Sequence, residues 1–176
     1  GLINLLMMDV MKINWYPLLL SMNNKTVVIV GGGKIAYRKA KGFENTGATV
    51  IVVSPNILPE LEGLSFVRCK KKEFERSDLE GAHLIFAATD QDNVNTYVVS
   101  CATSYQWVNN VSDGNASNFI NPAIVRRGDL VLTASTSGNS PILAKEIKRQ
   151  WEDQFGDEYE EIVKEYRDKR KTSIQE

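Results

Sequence analysis

The residues with the clearest chemical meaning form a glycine turn, Gly31-Gly32-Gly33-Lys34-Ile35-Ala36, which follows the apolar run Thr26–Val30. A β-branched run before the turn and helical spacing after it predict a strand, a tight turn and a helix. In the spacing G-x-G-x-x-A, Gly31 permits the turn, Gly33 lets a pyrophosphate approach the backbone, and Ala36 lets the helix pack closely on the strand. The free N–H groups that begin the helix then face an anion. The pattern predicts a dinucleotide site, and the alternative is a glycine turn without a ligand.

The residues downstream of this turn bear on the choice of cofactor. Enzymes that use NAD usually place an Asp or Glu about 20 residues past the glycines, where it holds the ribose 2′-OH. Ser54 and Asn56 stand there instead, so the choice between NAD and NADP stays open, and we expect the adenosine end to rely on these side chains or on backbone groups. Lys34 and Arg38 either contact the ligand or lie on a solvated helix face. We interpret Lys39 and Lys41 as lying on a solvated face of the helix. The predicted cofactor contacts are Gly31, Gly33, Lys34, Ile35, Ala36, Ser54 and Thr89.

A carboxylate later in the chain is the candidate for acid–base chemistry. Asp113 follows a predicted strand, and the carboxyl ends of parallel strands are where open α/β sheets bind ligands. A carboxylate beside a nicotinamide suits a general base, whereas the alternative is an aspartate in a turn before glycine. The loop 135–141 either binds an anionic ligand or ends in a helix cap. His83 is the only histidine and has no metal-ligand partner at a suitable spacing, so we interpret it as structural and predict no permanent metal site.

Composition limits the classes of function. The 176 residues are 43% hydrophobic and 24% charged with a net charge of −1, which suits one domain plus an appendage and offers no excess charge for nucleic acid or membrane lipid. Cys69 and Cys101 lie far apart, so we expect reduced thiols in a cytoplasmic protein. The apolar stretch near the amino terminus is too short to span a bilayer and lacks signal-peptide features. We interpret residues 1–10 as upstream or vector-derived sequence.

The chain up to residue 113 alternates strands and helices. Near-continuously apolar strands of this kind predict a parallel sheet covered on both faces, in a Rossmann-like α/β fold. Gly47 is the expected stop of the helix after the glycine turn, and Thr89-Asp90 the expected cap of a helix with an apolar stripe from Val94 to Tyr105. The further strands are predicted at residues 49–53, 65–69, 83–88 and 107–110.

The pattern then changes. Residues 119–125 and 130–134 predict two strands joined by a turn at 126–129, and Ser140-Pro141 predicts the start of a helix that Gly156 ends. A second amphipathic helix follows. Because such a hairpin and such helices need a partner surface, we predict a homodimer, with intramolecular docking as the alternative. The predicted organisation is an extension at 1–14, an NAD-binding domain at 15–113, a dimerisation segment at 114–150 and a helical segment at 151–176.

Several motifs in a fixed order carry a family resemblance. The chain resembles the precorrin-2 dehydrogenase/sirohydrochlorin ferrochelatase family of siroheme synthesis over residues 15 to about 155. It ends within its C-terminal helices earlier than many members, so whether the C-terminus is complete stays open. The motifs, in order, are Tyr16-Pro17-Leu18, residues 31–39, Ala87-Ala88-Thr89-Asp90, Asn110-Val111-Ser112-Asp113, Phe119-Ile120-Asn121-Pro122-Ala123, Arg127-Gly128-Asp129 and residues 135–141.

The resemblance implies an oxidoreductase that oxidises precorrin-2 to sirohydrochlorin with NAD, and it identifies Asp113 as the family's essential aspartate. It also implies a Rossmann domain, a dimerisation region and a helical C-terminal part. Precorrin-2 is a polycarboxylate, so basic side chains become candidate anchors. The candidate substrate contacts are Arg126, Arg127, Lys34, Arg38, Ser135 and Ser137. Some members only oxidise, whereas others also insert ferrous iron as a substrate, and the sequence does not separate the two.

Two other classes of function stay open. The chain could be a dinucleotide-sensing module without turnover, for which Asp113 and the loop 135–141 would be unnecessary. It could instead be a tetrapyrrole chelatase or carrier, in which the glycine turn would have no use.

Overall fold

The computed structural model describes residues 14–174, which divide into two compact units, the first ending at Phe119 and the second beginning at Ile120. The expectation for residues 1–10, and nearly all of the predicted extension, lie outside the described residues. The roles given to segments 114–150 and 151–176 stay predictions. The first unit contains β1 (Thr26–Val30), α1 (Lys34–Lys41), β2 (Thr49–Val53), α2 (Pro59–Glu62), β3 (Val67–Lys70), β4 (Leu84–Ala87), α3 (Asp92–Cys101) and β5 (Trp107–Asn110).

The five strands of the first unit form one parallel sheet in the order β3-β2-β1-β4-β5, which confirms the predicted Rossmann-like architecture. Val30 at the end of β1 pairs with Val53 of β2 on one side and with Ala87 of β4 on the other. From β1 the chain continues to β2 and β3 on one side of the sheet, and from β4 it continues to β5 on the other side. Open α/β sheets bind ligands at this switch point, outside the carboxyl ends of the strands.

The three central strands of the sheet, β1, β2 and β4, are almost wholly apolar and are buried on both faces. Val27 and Ile29 are fully buried in one hydrophobic cluster, and Ile85 in the cluster on the opposite face. Phe86 lies with the first cluster and packs edge-on against Phe119, with ring centroids 5.3 Å apart. Burial on both faces fixes the register of the strands and hence the positions of the loops at their ends.

Within the part of the chain that the structure describes, polar side chains rather than a further strand accept the backbone N–H groups along the outer edge of β5. The Val108 N–H donates to Asn118 Oδ1 at 2.6 Å, and the Asn110 N–H donates to Ser117 Oγ at 2.8 Å. Asn109 Nδ2 donates to the Phe119 carbonyl at 3.0 Å. Residues 117–119 thus cover the sheet edge, and the stretch between β5 and this cover contains Asp113.

The second unit contains the predicted hairpin and two helices. Strands β6 and β7 pair antiparallel, with Arg127 opposite Leu130. The prediction of a strand at 119–125 and a turn at 126–129 was wrong in its bounds, because the turn needs only two residues. Gly128 has φ 59°, the positive value that the first central position of a type II′ hairpin turn requires. The elements are β6 (Ala123–Arg127), β7 (Leu130–Ala134), α4 (Pro141–Gln154) and α5 (Tyr159–Ser173).

The predicted start of α4 is confirmed. Ser140 is the N-cap, its Oγ accepts the Leu143 N–H at 3.2 Å, and Pro141 occupies the first turn. The helix ends at Gln154, two residues before Gly156.

Other predicted bounds differ from the structure. Helix α1 ends at Lys41 with Gly42 at its C-cap, and Gly47 lies in a later turn. Helix α3 begins at Asp92, after an N-cap that makes no side-chain hydrogen bond. The predicted apolar stripe was wrong at two positions, since Tyr97 is 51% and Tyr105 93% exposed. Within residues 14–174, no helix is long and apolar enough to cross a membrane.

Candidate functional site

The glycine turn joins β1 to α1 at the switch point of the sheet. Gly31 has φ 131°, and a Cβ there would collide with the Ala88 carbonyl, whose carbon would lie 2.6 Å away. A Cβ on Gly32 would collide with the Asn56 carbonyl. The Gly31 N–H donates to the Val53 carbonyl at 3.0 Å, which continues the sheet into the turn. Only glycine therefore fits the first two positions, because the loops after β2 and β4 close around them.

Gly33 is different, because residues 14–174 leave the space beside it open. It is the N-cap of α1 with φ −95°, and a Cβ built on it meets nothing within 4 Å. The first helical hydrogen bond runs from the Tyr37 N–H to the Gly33 carbonyl at 3.0 Å. Among the described residues, no side chain caps the helix, and its first turn contains no acidic residue. Within the described residues, the N–H groups of residues 34–36 therefore point from a positive helix end into open space, which fits a pyrophosphate.

The side chains of α1 divide into two groups. Ala36 is fully buried against the sheet, as predicted, whereas Lys34, Ile35 and Arg38 are exposed. The solvated-face interpretation of Lys39 was wrong. Its ammonium lies 5.4 Å from the centroid of the Phe86 ring, and burial, with a smaller contribution from Arg38, lowers its pKa. Long lysine stems cover apolar surface in this way, so Lys39 packs against the edge of the core.

The loop after β2 contains the residues expected near the adenosine end. Ser54 Oγ donates to the Asn56 carbonyl at 2.8 Å, so the hydroxyl hydrogen is engaged within the loop. The Leu58 N–H donates to the Gly32 carbonyl at 2.9 Å, which holds this loop against the glycine turn. Asn56 is exposed. The position that usually holds a ribose-binding carboxylate thus presents a hydroxyl oxygen and an amide.

Thr89 follows β4, beside the glycine turn, and is bound to a buried side chain that the sequence analysis missed. The Thr89 N–H and hydroxyl both donate to Asn95 Oδ1, at 3.0 and 2.7 Å. Asn95 is fully buried in α3. The sequence does contain a signal for it, since position 95 lies three residues before Val98 on the buried stripe of the helix.

Asp113 lies beyond β5, on the same edge of the sheet as the glycine turn. Its side chain is exposed, and Oδ1 accepts the Asn115 N–H at 3.0 Å as the N-cap of a short 3₁₀ helix, Gly114–Ala116. Asp113 therefore has the local geometry of an aspartate in a turn before glycine, which was the alternative to a general base. One carboxylate oxygen makes this cap, and the other makes no hydrogen bond within residues 14–174.

His83 lies at the opposite edge of the sheet. Its Nδ1 accepts the Thr26 N–H at 3.0 Å, and the backbone N–H of His83 donates to the Thr26 carbonyl at 2.9 Å. This geometry supports the structural interpretation of His83.

The second unit contains the four remaining candidates. Arg126 is exposed on β6, whereas Arg127 binds the end of α4: its Nε donates to the Phe155 carbonyl at 2.8 Å and its Nη2 to the Glu152 carbonyl at 3.4 Å. Ser135 and Ser137 share one loop, in which Ser135 Oγ accepts the Ser137 N–H at 3.1 Å. Both serines are exposed, so their loop offers hydroxyl groups to a ligand.

Comparisons with known proteins agree with this geometry. Residues 18–123 match the family model described as "Putative NAD(P)-binding". The chain is 40% identical over 134 residues to the precorrin-2 dehydrogenase of Bacillus subtilis, which covers 74% of this chain and 83% of the relative. It is 35% identical over 147 residues to the precorrin-2 dehydrogenase of Priestia megaterium, which covers 82% and 73%.

A longer relative and a solved structure extend the comparison. Siroheme synthase 1 of Aeromonas salmonicida is 36% identical over 143 residues, and this chain spans 31% of its length. The structure of SirC, a precorrin-2 dehydrogenase, aligns with a TM-score of 0.75 and 33% identity, covering 85% of this chain and 76% of that one. With its glycine turn at the switch point of a parallel sheet and matches of this extent, the chain belongs to the precorrin-2 dehydrogenase family.

Proposed function

We propose that this chain is an NAD-dependent oxidoreductase that converts precorrin-2 to sirohydrochlorin in siroheme biosynthesis. The observation that carries the proposal is the open space beside Gly33, into which the first N–H groups of α1 point. A helix end of this kind holds a pyrophosphate. Membership of the precorrin-2 dehydrogenase family supplies the substrate class.

The reaction removes two hydrogens from the tetrapyrrole, one as a hydride and one as a proton. When bound, the nicotinamide accepts the hydride. We assign proton removal to Asp113, because its side chain is exposed, one of its carboxylate oxygens accepts the Asn115 N–H, and the other makes no hydrogen bond within residues 14–174. A carboxylate held by one oxygen keeps its orientation while the second oxygen accepts a proton.

The carboxylates of precorrin-2 require cationic anchors. Arg126 offers an exposed guanidinium, and Lys34 and Arg38 offer exposed charges next to the glycine turn. Arg127 has most of its guanidinium committed to backbone carbonyls, so we give it a supporting role on β6. Ser135 and Ser137 are proposed as hydroxyl contacts to the same substrate.

We also propose a homodimer that uses the second unit. Ile142 is 83% and Tyr166 65% exposed on its two helices. Large apolar side chains on amphipathic helices gain stability when a second copy covers them. A cytoplasmic location is proposed on the free thiols of Cys69 and Cys101, which suit a reducing compartment.

Anaerobic incubation of the protein with precorrin-2 and NAD tests the proposed function. NADH and sirohydrochlorin absorbance should rise together, and NADP in a parallel sample should support a slower rate. A protein that binds NAD tightly but forms neither product would be a sensor, which contradicts the proposal. Ferrous iron is added last, after oxidation is complete, so that metal insertion is measured apart from the redox step.

A further inference from the structure

We propose that Asn95 and Ser112 are positioning residues, which hold the turn containing Asp113 in register with the loop after β4. The inference rests on the proposed function, since it concerns the general base of that reaction. Neither side chain is placed in contact with substrate or cofactor. They act by joining the ends of two neighbouring strands, β4 and β5, through α3.

The amide of Asn95 is fully buried, and all of its hydrogen-bonding capacity is used. Oδ1 accepts from the N–H and the hydroxyl of Thr89, while Nδ2 donates to the Thr89 carbonyl at 3.0 Å and to Ser112 Oγ at 3.0 Å. The orientation of the amide is settled by its partners, because a backbone N–H can only donate and a carbonyl can only accept. Thr89 and Ser112 are therefore fixed relative to each other.

The bonds continue from Asn95 toward Asp113. Ser112 Oγ accepts from Asn95 and donates to Asn110 Oδ1 at 2.9 Å, and the Ser112 N–H donates to the same oxygen at 3.0 Å. Asn110 is the last residue of β5, and Asp113 follows Ser112 directly. The donors run in one direction, from Asn95 through Ser112 to Asn110, and bonds in such a chain strengthen one another.

A purely structural role would be served better by an apolar side chain. Position 95 lies on the same buried stripe as Val98, which packs in the core. A buried amide is costly unless every group is paired, so a fully paired one that joins two ligand-facing loops points to positioning. The loops it joins are the one beside the glycine turn and the one containing the proposed base.

Ser112→Ala tests the inference with little risk to the fold, because Ser112 is exposed whereas Asn95 is buried. The change removes the link between the loops and leaves the bonds between Asn95 and Thr89. We expect kcat for precorrin-2 oxidation to fall about five- to tenfold, the effect of one hydrogen bond, while the Kd for NAD stays within about twofold. Ser112→Thr retains a hydroxyl and should restore most of kcat.

The matched control is Asn93→Ala, at an exposed position on the same helix, which should leave kcat and Kd unchanged. Amide hydrogen exchange at Asn115, whose N–H donates to Asp113 Oδ1, supplies a readout that does not depend on turnover. This exchange should be faster in Ser112→Ala than in wild type.

Wild-type kcat and unchanged Asn115 exchange in Ser112→Ala would overturn the inference. A lower melting temperature with unchanged kcat would show a structural role only and would also overturn it. A wild-type protein that does not oxidise precorrin-2 would refute the proposed function instead. Asn115 exchange would still decide in that case whether Ser112 holds the turn.

Discussion

Replacing Gly33 with valine should strongly weaken NAD binding in a protein that still folds. Gly33 has φ −95°, and a Cβ there meets no atom of residues 14–174 within 4 Å, so valine is neither strained nor crowded at its Cβ. The change places a β-branched residue at the N-cap of α1, which costs about 0.5 to 1 kcal/mol of stability. Its side chain occupies the space that the pyrophosphate needs.

The loss of affinity can be worked from the contacts. A hydrogen bond to a charged group contributes about 1.5 to 3 kcal/mol, so losing two at the helix end costs about 3 to 6 kcal/mol. The Kd for NAD should then rise about 10²- to 10⁴-fold. Gly31→Val, by contrast, should fail to fold, because its φ is 131° and its Cβ would collide with the Ala88 carbonyl.

Isothermal titration calorimetry with NAD, together with a thermal melt, is the assay. Gly63→Val is the matched control, since Gly63 lies at the C-cap of α2 with φ −75° and a Cβ there meets its nearest neighbour at 3.5 Å. It should bind NAD as wild type does. A folded Gly33→Val protein with wild-type affinity would show that the turn does not hold the pyrophosphate.

Further predictions concern Asp113, the two arginines, Asp78 and the oligomeric state. Asp113→Asn should keep NAD affinity and lower kcat about 10²- to 10⁴-fold, and near-normal kcat across the pH profile would remove it from the mechanism. Arg127→Ala should lower the free energy of unfolding in urea by about 1 to 3 kcal/mol, because three backbone carbonyls lose their donor. Arg126→Ala should instead raise the KM for precorrin-2 and leave the free energy of unfolding unchanged. A raised KM in Arg127→Ala and a lowered free energy of unfolding in Arg126→Ala would exchange their roles. Burial alone would raise the pKa of Asp78, but the Lys72 ammonium at 2.8 Å and a backbone N–H lower it below the ordinary 3.8. A carboxyl whose pKa is lowered by folding stabilises the fold above its unfolded pKa and loses that effect as pH falls through its folded pKa. Asp78→Asn should therefore lose less stability than wild type below about pH 4. Identical acid unfolding curves for the two proteins would contradict this. Sedimentation at micromolar concentration should show a dimer, and an active monomer would refute the homodimer.

The first strand, the glycine turn and the parallel sheet could be predicted because their signals are local. Thr26–Val30 is an apolar run followed at once by the glycine spacing, and both are short-range consequences of burial and turn geometry. The capped start of α4 at Ser140 and Pro141 was predictable for the same reason. The bounds of the β6–β7 turn were missed, because two charged residues before Gly128 are typical of a turn. In the structure, the backbone of Arg126 and Arg127 is paired with β7.

The parts that could not be predicted depend on partners distant in the chain. Asn95 reaches Ser112, 17 residues away, and Arg127 reaches Phe155, 28 residues away. Nothing in the local pattern distinguishes a substrate-binding arginine from one that caps a helix. The cover on β5 by residues 117–119 likewise appears only when the backbone brings Asn118 beside Val108.

The ratio of NADH to sirohydrochlorin formed anaerobically tests the central claim most directly. Wild-type protein should form one NADH for each sirohydrochlorin, since a single hydride passes from the tetrapyrrole to the nicotinamide of an NAD molecule whose pyrophosphate binds beside Gly33. At an NAD concentration near the wild-type Kd, folded Gly33→Val should form both products far more slowly than wild type. Sirohydrochlorin without matching NADH, or equal rates in the two proteins, would contradict hydride transfer to an NAD molecule held by this turn.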